Sequence, residues 1–267
     1  MRTAGRTILL TGASRGLGAL MARAFAGRGY RLALAARSEA PLVSLARELA
    51  AQGATAVPIV ADVSAETDRV RLVAEAGRVL GRIDVLLNNA GVESGAAFAT
   101  QDPAVMREIL LTNVEGPMLL ARAVLPAMLA RREGQVVNIA SLAGKLGLPF
   151  ASVYGASKAA IIAWSRALRL ELEGSGVTVS VVSPGYVAET GMWAEHGRAP
   201  HWLTGESRPE AVVKGVLRAL DRRDAEVIVN PRPLGPMLAL HALAPGLVES
   251  GLRKAGFIDF ARAVQGG

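Results

Sequence analysis

Apolar segments of strand length alternate with segments of helical periodicity from residue 6 to residue 230. The apolar segments are nearly continuous rather than alternating in polarity, which favours strands buried on both faces of a parallel sheet. They lie at residues 6–12, 30–37, 54–63, 82–91, 134–141 and 177–185, and a last helix and strand occupy 208–230. Strand–helix alternation with short glycine-containing joints predicts an α/β fold, doubly wound around a parallel sheet.

No linker interrupts this alternation, so we predict a single domain over residues 1–230. Two segments break the pattern. Residues 186–207 are rich in tryptophan and histidine, and residues 231–267 are apolar but interrupted by prolines. We interpret the latter as a C-terminal extension that packs on the domain or on a partner subunit; a membrane surface is a third alternative, disfavoured by the prolines.

The composition argues against nucleic-acid binding and against a metal site. The net charge is +7, yet the arginines are mostly scattered singly, and only Arg131–Arg132 and Arg222–Arg223 are adjacent. A phosphate-backbone surface usually clusters its cations among aromatic residues. The chain has no cysteine, and its three histidines lack the spacing of a metal-binding motif.

The N-terminal apolar stretch is short, comprising residues 8–10 before polar and glycine residues follow. A signal peptide needs a longer apolar region, and a membrane span needs about 18 apolar residues. We therefore predict a cytoplasmic protein without stable membrane insertion.

A glycine-rich turn follows the first predicted strand in "TGASRGLG", residues 11–18. Its glycines permit a tight turn and a close backbone approach, and the next helix directs its N-terminal amides at a pyrophosphate. The alternative is a strand–helix turn without a ligand. The candidate phosphate-binding residues are Gly12, Ser14, Arg15, Gly16, Leu17 and Gly18.

The end of the second predicted strand favours NADP(H) over NAD(H). An acidic residue at this place binds the free ribose 2′-hydroxyl of NAD, whereas an arginine accommodates the 2′-phosphate of NADP. Here the strand ends at Arg37, no acid occurs before Glu39, and Arg15 offers a second cation. The alternative is that both arginines are ordinary solvated surface residues.

Tyr154 and Lys158 lie four residues apart in "VYGASKAA", one turn apart if the segment is helical. Moving the pKa of a tyrosine from about 10 to about 7 requires about 4 kcal/mol. One cation about 4 Å away supplies about that much at an effective dielectric constant of about 20. The pair is therefore suited to acid/base catalysis, although an amphipathic helix that merely exposes both residues is the plain alternative.

Further motifs occur in order along the chain: "ADV" at 61–63, "NNAG" at 88–91, Asn113 in "LLTNVEG", Ser141 in "NIAS" and "SPG" at 183–185. Together with the glycine turn and the Tyr-x3-Lys pair, they resemble the short-chain dehydrogenase/reductase family over about residues 6–190. The resemblance implies a Rossmann-type fold and hydride transfer with a nicotinamide cofactor.

The resemblance also implies roles for individual residues. Tyr154 would be the general acid/base, Lys158 would bind the nicotinamide ribose, Ser141 would hydrogen-bond the substrate oxygen, and Asn113 would support a proton relay behind Lys158. Thr190 lies one residue later than the family pattern after "SPG", so its contact with the cofactor is a weaker expectation. Tyr154 is also an expected cofactor contact, and the remaining ones are Asp62, Val63, Asn89, Ala90, Gly91, Pro184, Gly185 and Val187.

The expected pocket segments are residues 93–99, 142–150 and 186–207, which are largely apolar. They contribute Phe98, Leu142, Leu146, Leu148, Phe150, Tyr186, Met192 and Trp193. They indicate a hydrophobic ketone, aldehyde or secondary alcohol as substrate. Lys145 is either a contact for a substrate carboxylate or an exposed residue. We therefore predict an NADP(H)-dependent oxidoreductase, with an NADP(H)-binding sensor or scaffold without turnover as the alternative. Such a protein would be expected to lose the tyrosine or the lysine.

The subunit arrangement follows from the same resemblance. Residues 103–132 and 154–175 match the two helices through which related enzymes form four-helix contacts between subunits. We therefore predict a homodimer or a homotetramer.

Overall fold

A computed structural model describes residues 5–195 and 197–265, so His196 lies outside the described residues. The strands are β1 (Thr7–Thr11), β2 (Arg31–Ala36), β3 (Ala56–Val60), β4 (Val85–Asn88), β5 (Gly134–Ile139), β6 (Val177–Pro184), β7 (Tyr186–Val187), β8 (Glu206–Ser207) and β9 (Glu226–Val229). Seven of them form one parallel sheet in the order β3-β2-β1-β4-β5-β6-β9, and β7 pairs with β8.

Helices connect the strands and form the C-terminal extension. They are α1 (Gly16–Gly27), α2 (Glu39–Ala51), α3 (Glu66–Leu80), α4 (Pro103–Leu110), α5 (Gly116–Ala130), α6 (Ala143–Leu146), α7 (Ser152–Glu171), α8 (Gly191–Glu195), α9 (Pro209–Arg222), α10 (Gly235–Leu243), α11 (Pro245–Lys254) and α12 (Phe257–Gln265). A 3₁₀ turn spans Phe98–Thr100, and a π-helical turn at Leu111–Glu115 joins α4 to α5.

Two hydrophobic layers sandwich the sheet, because side chains along each strand point alternately to opposite faces. Ile8 and Leu10 of β1 pack with α1, α2 and α9, whereas Leu9 packs with α3, α5 and α7. All five residues of β1 are buried, which explains why its sequence reads as a continuous apolar run. The predicted doubly wound α/β fold with a parallel sheet is confirmed.

Two segments differ in detail from the sequence expectations. The predicted helical stretch at 103–132 is interrupted by the π-helical turn, which inserts a wider turn where Asn113 lies. The predicted strand at 54–63 shortens to β3, which lies at the edge of the sheet and has only Ile59 fully buried. An edge strand pairs with a neighbour on one side only. Here the apolar run in the sequence, residues 54–63, extends beyond the residues of β3 that pair with β2.

One continuous helical stretch, Pro103–Ala130, is long and apolar enough to cross a membrane by length and composition. Its most apolar window is 44% buried inside the protein. Leu120, Val124 and Met128 belong to the hydrophobic layer under the sheet. A helix in a protein core satisfies the same two criteria, so this stretch by itself is weak evidence for a span.

Candidate active site

The glycine turn and the Tyr154–Lys158 pair open onto one cavity of about 690 Å³. The sheet order reverses at β1, and ligands of open α/β sheets bind at such a switch point, beyond the carboxyl ends of the strands. Asn113 is the one predicted site residue outside the cavity lining. The others all line it: Gly12, Ser14, Arg15, Gly16, Leu17, Gly18, Arg37, Asp62, Val63, Asn89, Ala90, Gly91, Ser141, Tyr154, Lys158, Pro184, Gly185, Val187 and Thr190.

Hydrogen bonds between the ends of β1 and β4 hold the floor of this cavity. Asn89 Nδ2 donates to the carbonyl oxygens of Thr11, at 3.1 Å, and Gly12, at 3.0 Å. Thr11 Oγ1 in turn accepts from the backbone N–H of Asn89, at 3.0 Å, and of Ala90, at 3.1 Å. The side chain of Asn89 therefore fixes the glycine turn, in addition to lining the cavity.

The glycine turn is packed too closely for side chains at two positions. A Cβ on Gly12 would lie 2.8 Å from Ala90 Cα, and Gly12 has a positive φ of 65°. A Cβ on Gly18 would overlap with the carbonyl oxygen of Gly12. The backbone thus forms a cradle at the start of α1 that fits the pyrophosphate of a dinucleotide.

Arg37 lies at the edge of the cavity, immediately after β2, with 57% of its side chain exposed. Its guanidinium is 3.2 Å from Glu108 Oε1 and 4.0 Å from Asp62 Oδ2. Asp62 also accepts hydrogen bonds from the backbone N–H and the hydroxyl of Ser64, at 2.8 and 2.7 Å. These two carboxylates hold the cation near the place where the sequence predicts the adenosine ribose.

Asn113 is buried behind the cavity in the π-helical turn. Its Oδ1 accepts from the backbone N–H of Val92 and its Nδ2 donates to the carbonyl oxygen of Val92, both at 2.8 Å. Nδ2 also donates to Ser157 Oγ at 3.0 Å. A Cβ on Gly91 would lie 3.2 Å from Asn113 Oδ1 and 3.5 Å from Lys158 Nζ, so the two polar groups converge there. Through its two hydrogen bonds to Val92, Asn113 holds the backbone that follows β4 in place.

Tyr154 and Lys158 are both buried in the first half of α7. Lys158 Nζ lies 5.7 Å from the centre of the Tyr154 ring and donates to the carbonyl oxygen of Ile139 at 3.0 Å. Burial lowers the pKa of Lys158 to about 8, opposed by the carboxylate of Glu93.

The pKa of Tyr154 differs from the sequence expectation. Burial raises it, the carboxylate of Glu93 raises it further, and a hydrogen bond with Ser141 lowers it. Burial is the largest of these causes, so the pKa moves up, and not down toward about 7 as the sequence led us to expect. The raised pKa favours the protonated form of the Tyr154 phenol.

Glu93 is a site residue that sequence reasoning did not single out. Its half-buried carboxylate lines the cavity and raises the pKa of Tyr186 as it does that of Tyr154, although burial is the larger cause. Only its position directly after the "NNAG" motif and Val92 could have indicated it. Among the described residues, no group of three His, Asp or Glu side chains is placed to hold a metal ion.

The substrate end of the cavity is apolar, and the C-terminal extension covers part of it. Six of the pocket residues expected from the sequence line it, whereas Phe98 is 65% exposed and, like Phe150, lies outside the lining. Sequence periodicity gave no sign of the contribution of the extension. The expected six are Leu142, Leu146, Leu148, Tyr186, Met192 and Trp193, and the extension adds Leu234, Met237, Leu252 and Phe257.

Aromatic contacts join the extension to the segment after β6. Tyr186 stacks on Trp193 with ring centres 4.0 Å apart, and Phe260 of α12 lies about 6 Å from both, at 6.2 and 6.1 Å. Phe257 is buried in a cluster that includes Tyr154. The extension therefore packs on the domain beside the Tyr154 ring.

Lys145 has neither of the roles considered from the sequence. Its Nζ forms an ion pair with Glu226 Oε1 at 2.7 Å, and only 13% of its side chain is exposed. Arg166 of α7 binds the other oxygen of Glu226 at 2.8 Å. Lys145 thus ties the short helix α6 to β9 and α7, and its charge is already partnered.

The comparisons with known proteins agree with this geometry. A family model described as short chain dehydrogenase matches residues 6–200. The ketoacyl reductase HetN of Nostoc is 42% identical over 261 residues, which is 96% of this chain and 91% of that protein. The similarity therefore includes the C-terminal extension.

Solved structures are similar over nearly the whole chain. A short-chain dehydrogenase from Sphingobium yanoikuyae in complex with NADPH has a TM-score of 0.79 and 32% identity, covering 91% of this chain and 95% of that one. A relative from Burkholderia phymatum in complex with NAD has a TM-score of 0.82 and 25% identity, covering 92% and 96%. Structures of this kind therefore include complexes with either cofactor.

The close packing of the glycine turn predicts a loss of stability in Gly18→Ala. The added Cβ would overlap with the carbonyl oxygen of Gly12, and forced overpacking costs about 1–3 kcal/mol. Gly77→Ala is the matched control, because nothing lies within 4 Å of its Cβ and alanine favours the middle of α3 by up to about 1 kcal/mol. Denaturant unfolding measures both; equal stabilities would contradict the prediction.

Proposed function

The chain belongs to the short-chain dehydrogenase family, and we propose that it is an NADP(H)-dependent reductase of hydrophobic ketones or aldehydes. The reverse reaction would oxidise the corresponding alcohols. As a member of this family it is an oxidoreductase that uses a nicotinamide cofactor; the preference for NADP(H), the substrate class and the residue roles are the proposal.

The observation that carries the proposal is the continuity of the cavity. One space runs from the Gly12–Gly18 cradle, past Arg37 and Asp62, to Tyr154 and Lys158, and then to an apolar wall. A dinucleotide with its pyrophosphate on the cradle can reach both ends. A carbonyl group beside Tyr154 would meet a proton donor on one side and apolar side chains on the other.

Tyr154 donates a proton to the carbonyl oxygen during reduction. Its raised pKa favours the protonated phenol, and its hydrogen bond with Ser141 supports a shared contact of the two hydroxyl groups with one substrate oxygen. Ser141 binds the same substrate oxygen and holds it in line with the phenol. Proton transfer from a positioned acid contributes about 10²–10⁴-fold in rate.

Lys158 binds the nicotinamide ribose and supports the charge that forms on Tyr154 once the proton has left. Its Nζ already lies at the cavity wall and uses one donor on Ile139. Asn113 acts behind it by holding Val92, and with it the edge of the nicotinamide site. The bound nicotinamide supplies the hydride that the substrate carbon receives.

NADP(H) is the proposed cofactor because the cavity edge presents a cation at the end of β2. The side chain of Arg37 is 57% exposed and lies next to two carboxylates, those of Asp62 and Glu108. Its guanidinium can therefore turn toward a phosphate at small cost. A bidentate arginine–phosphate contact is among the strongest charge-assisted hydrogen bonds. Arg15, in the glycine turn, lines the same cavity.

Tyr154→Phe is expected to lower kcat by about 10²–10⁴-fold, since it removes the proton donor. Binding of NADPH should change little, because the phenyl ring keeps its packing. The measurement is NADPH oxidation with a panel of hydrophobic ketones and aldehydes, together with a fluorescence titration of NADPH.

Tyr30→Phe is the matched control, because the Tyr30 hydroxyl has no hydrogen-bond partner among the described residues and the ring packs on Phe25, away from the cavity. Wild-type turnover in Tyr154→Phe would contradict the assignment. Tight NADPH binding by the wild type without turnover of any compound would favour a sensor or scaffold.

Arg37→Asp is expected to weaken NADPH binding by at least about tenfold and NADH binding far less. The substitution removes the cation and places a carboxylate near the 2′-phosphate. Arg78→Asp, on the exposed side of α3, repeats the charge change away from the cavity. Separate titrations with the two cofactors make the comparison, and equal losses in Arg37→Asp would rule out its proposed role.

We also propose that the protein is a homodimer or homotetramer through α4, α5 and α7. The outer face of the α4–α5 stretch carries an apolar groove that is lined by Leu110, Leu111, Val114, Met118 and Leu119, with Arg107 and Glu115 at its rim. Leu110 is 46% exposed. The apolar groove with a charged rim is typical of a subunit interface.

Leu110→Asp is expected to dissociate the oligomer, because a carboxylate would enter the apolar groove. Val70→Asp is the control, since Val70 is 66% exposed on α3 and is not part of the groove. Light scattering at micromolar concentration measures the mass. A monomeric wild type would refute the proposed assembly, and an unchanged mass in Leu110→Asp would exclude the groove.

A further inference from the structure

Helix α10 carries its apolar residues outward. Over its fully described length, "GPMLALHAL", none of its residues is buried. Its exposed residues are all apolar or glycine: Gly235, Pro236, Ala239, Leu240, Ala242 and Leu243. Leu243 alone is 86% exposed. A surface helix normally has the opposite arrangement, with its polar residues in water.

The outward face is continuous at helical spacing. Pro236, Leu240 and Leu243 are separated by four and three residues, so they lie on one side of α10. Leu247, which is 63% exposed, lies four residues after Leu243 in the first turn of α11, and Lys254 lies seven residues beyond Leu247 on the same side of α11. We call this the α10–α11 face.

Exposed cations precede and follow the leucines of the α10–α11 face in the sequence. Between residues 231 and 255 the chain has Arg232, Arg253 and Lys254 against one acid, Glu249, and all four side chains are exposed. Apolar residues next to exposed cations are typical of surfaces that lie in the interface of an anionic bilayer. Each cation near such a surface contributes about 1 kcal/mol.

The inner side of the same two helices lines the substrate end of the cavity. Met237 of α10 and Leu252 of α11 face it, and Phe257, which begins α12, is buried beside Tyr154. The same two helices therefore carry both the α10–α11 face and part of the cavity lining.

We propose that the α10–α11 face docks on an anionic membrane surface, with the leucines among the acyl chains and the cations on the headgroups. A second copy of the chain fits this face less well, since a two-fold contact would bring the same excess of cations together. The docking goes beyond the proposed reaction and does not depend on it.

Vesicle flotation of the full-length protein tests the proposal. Wild-type protein is expected to float with vesicles that contain phosphatidylglycerol and much less with phosphatidylcholine vesicles, and salt should weaken the binding. Leu243→Asp is expected to lower the bound fraction at least about tenfold, because it places a carboxylate among the acyl chains. Lys254→Glu should reduce binding to the anionic vesicles.

Val70→Asp is again the matched control, and it should float like the wild type. Leu243 is so exposed that its replacement removes no buried contact, and a thermal melt verifies this. Wild-type protein that fails to float with anionic vesicles at low salt would overturn the proposal. So would Leu243→Asp that floats like the wild type, or that only lowers the oligomeric mass. Flotation needs no turnover, so its failure is distinct from failure of the proposed reaction.

Discussion

The hydrogen bonds of Thr11 and Asn89 are the contacts on which the rest of the site depends. They join the ends of β1 and β4 where the sheet order reverses, and they hold the carbonyl of Gly12 in place. The tight fit of Gly18 against Gly12 then sets the start of α1. The cradle held in this way lines the same cavity as Tyr154 in the first turn of α7.

A second device sets the polar end of that cavity. The π-helical turn carries Asn113 inward, where one side chain satisfies both backbone groups of Val92. A π-helical turn replaces the regular hydrogen bonds of the α-helix, and such turns are frequent at functional sites. Burial at the same end raises the pKa of Tyr154 and lowers that of Lys158 to about 8, so it favours the uncharged form of each side chain.

Much of this arrangement could be predicted from the sequence. The buried strands read as continuous apolar runs, and the spacing of Tyr154 and Lys158 placed both on one helix. The sequence could not show that burial raises the pKa of Tyr154, because desolvation depends on residues distant in sequence, such as Phe257. The partner of Lys145 lies 81 residues away at Glu226, so no local pattern indicates it. The sequence also could not predict that the leucines of α10 are exposed, because periodicity shows which residues share a helix face and not whether that face points to solvent.

We expect one cavity to hold the whole dinucleotide and the reacting carbonyl, and the decisive measurement is a crystal structure of the protein grown with NADPH. The pyrophosphate should lie on the backbone amides after Gly12, the 2′-phosphate within hydrogen-bond distance of Arg37, and the nicotinamide ring facing Tyr154. A dinucleotide bound in the reverse direction, or one whose nicotinamide lies away from Tyr154, would contradict it.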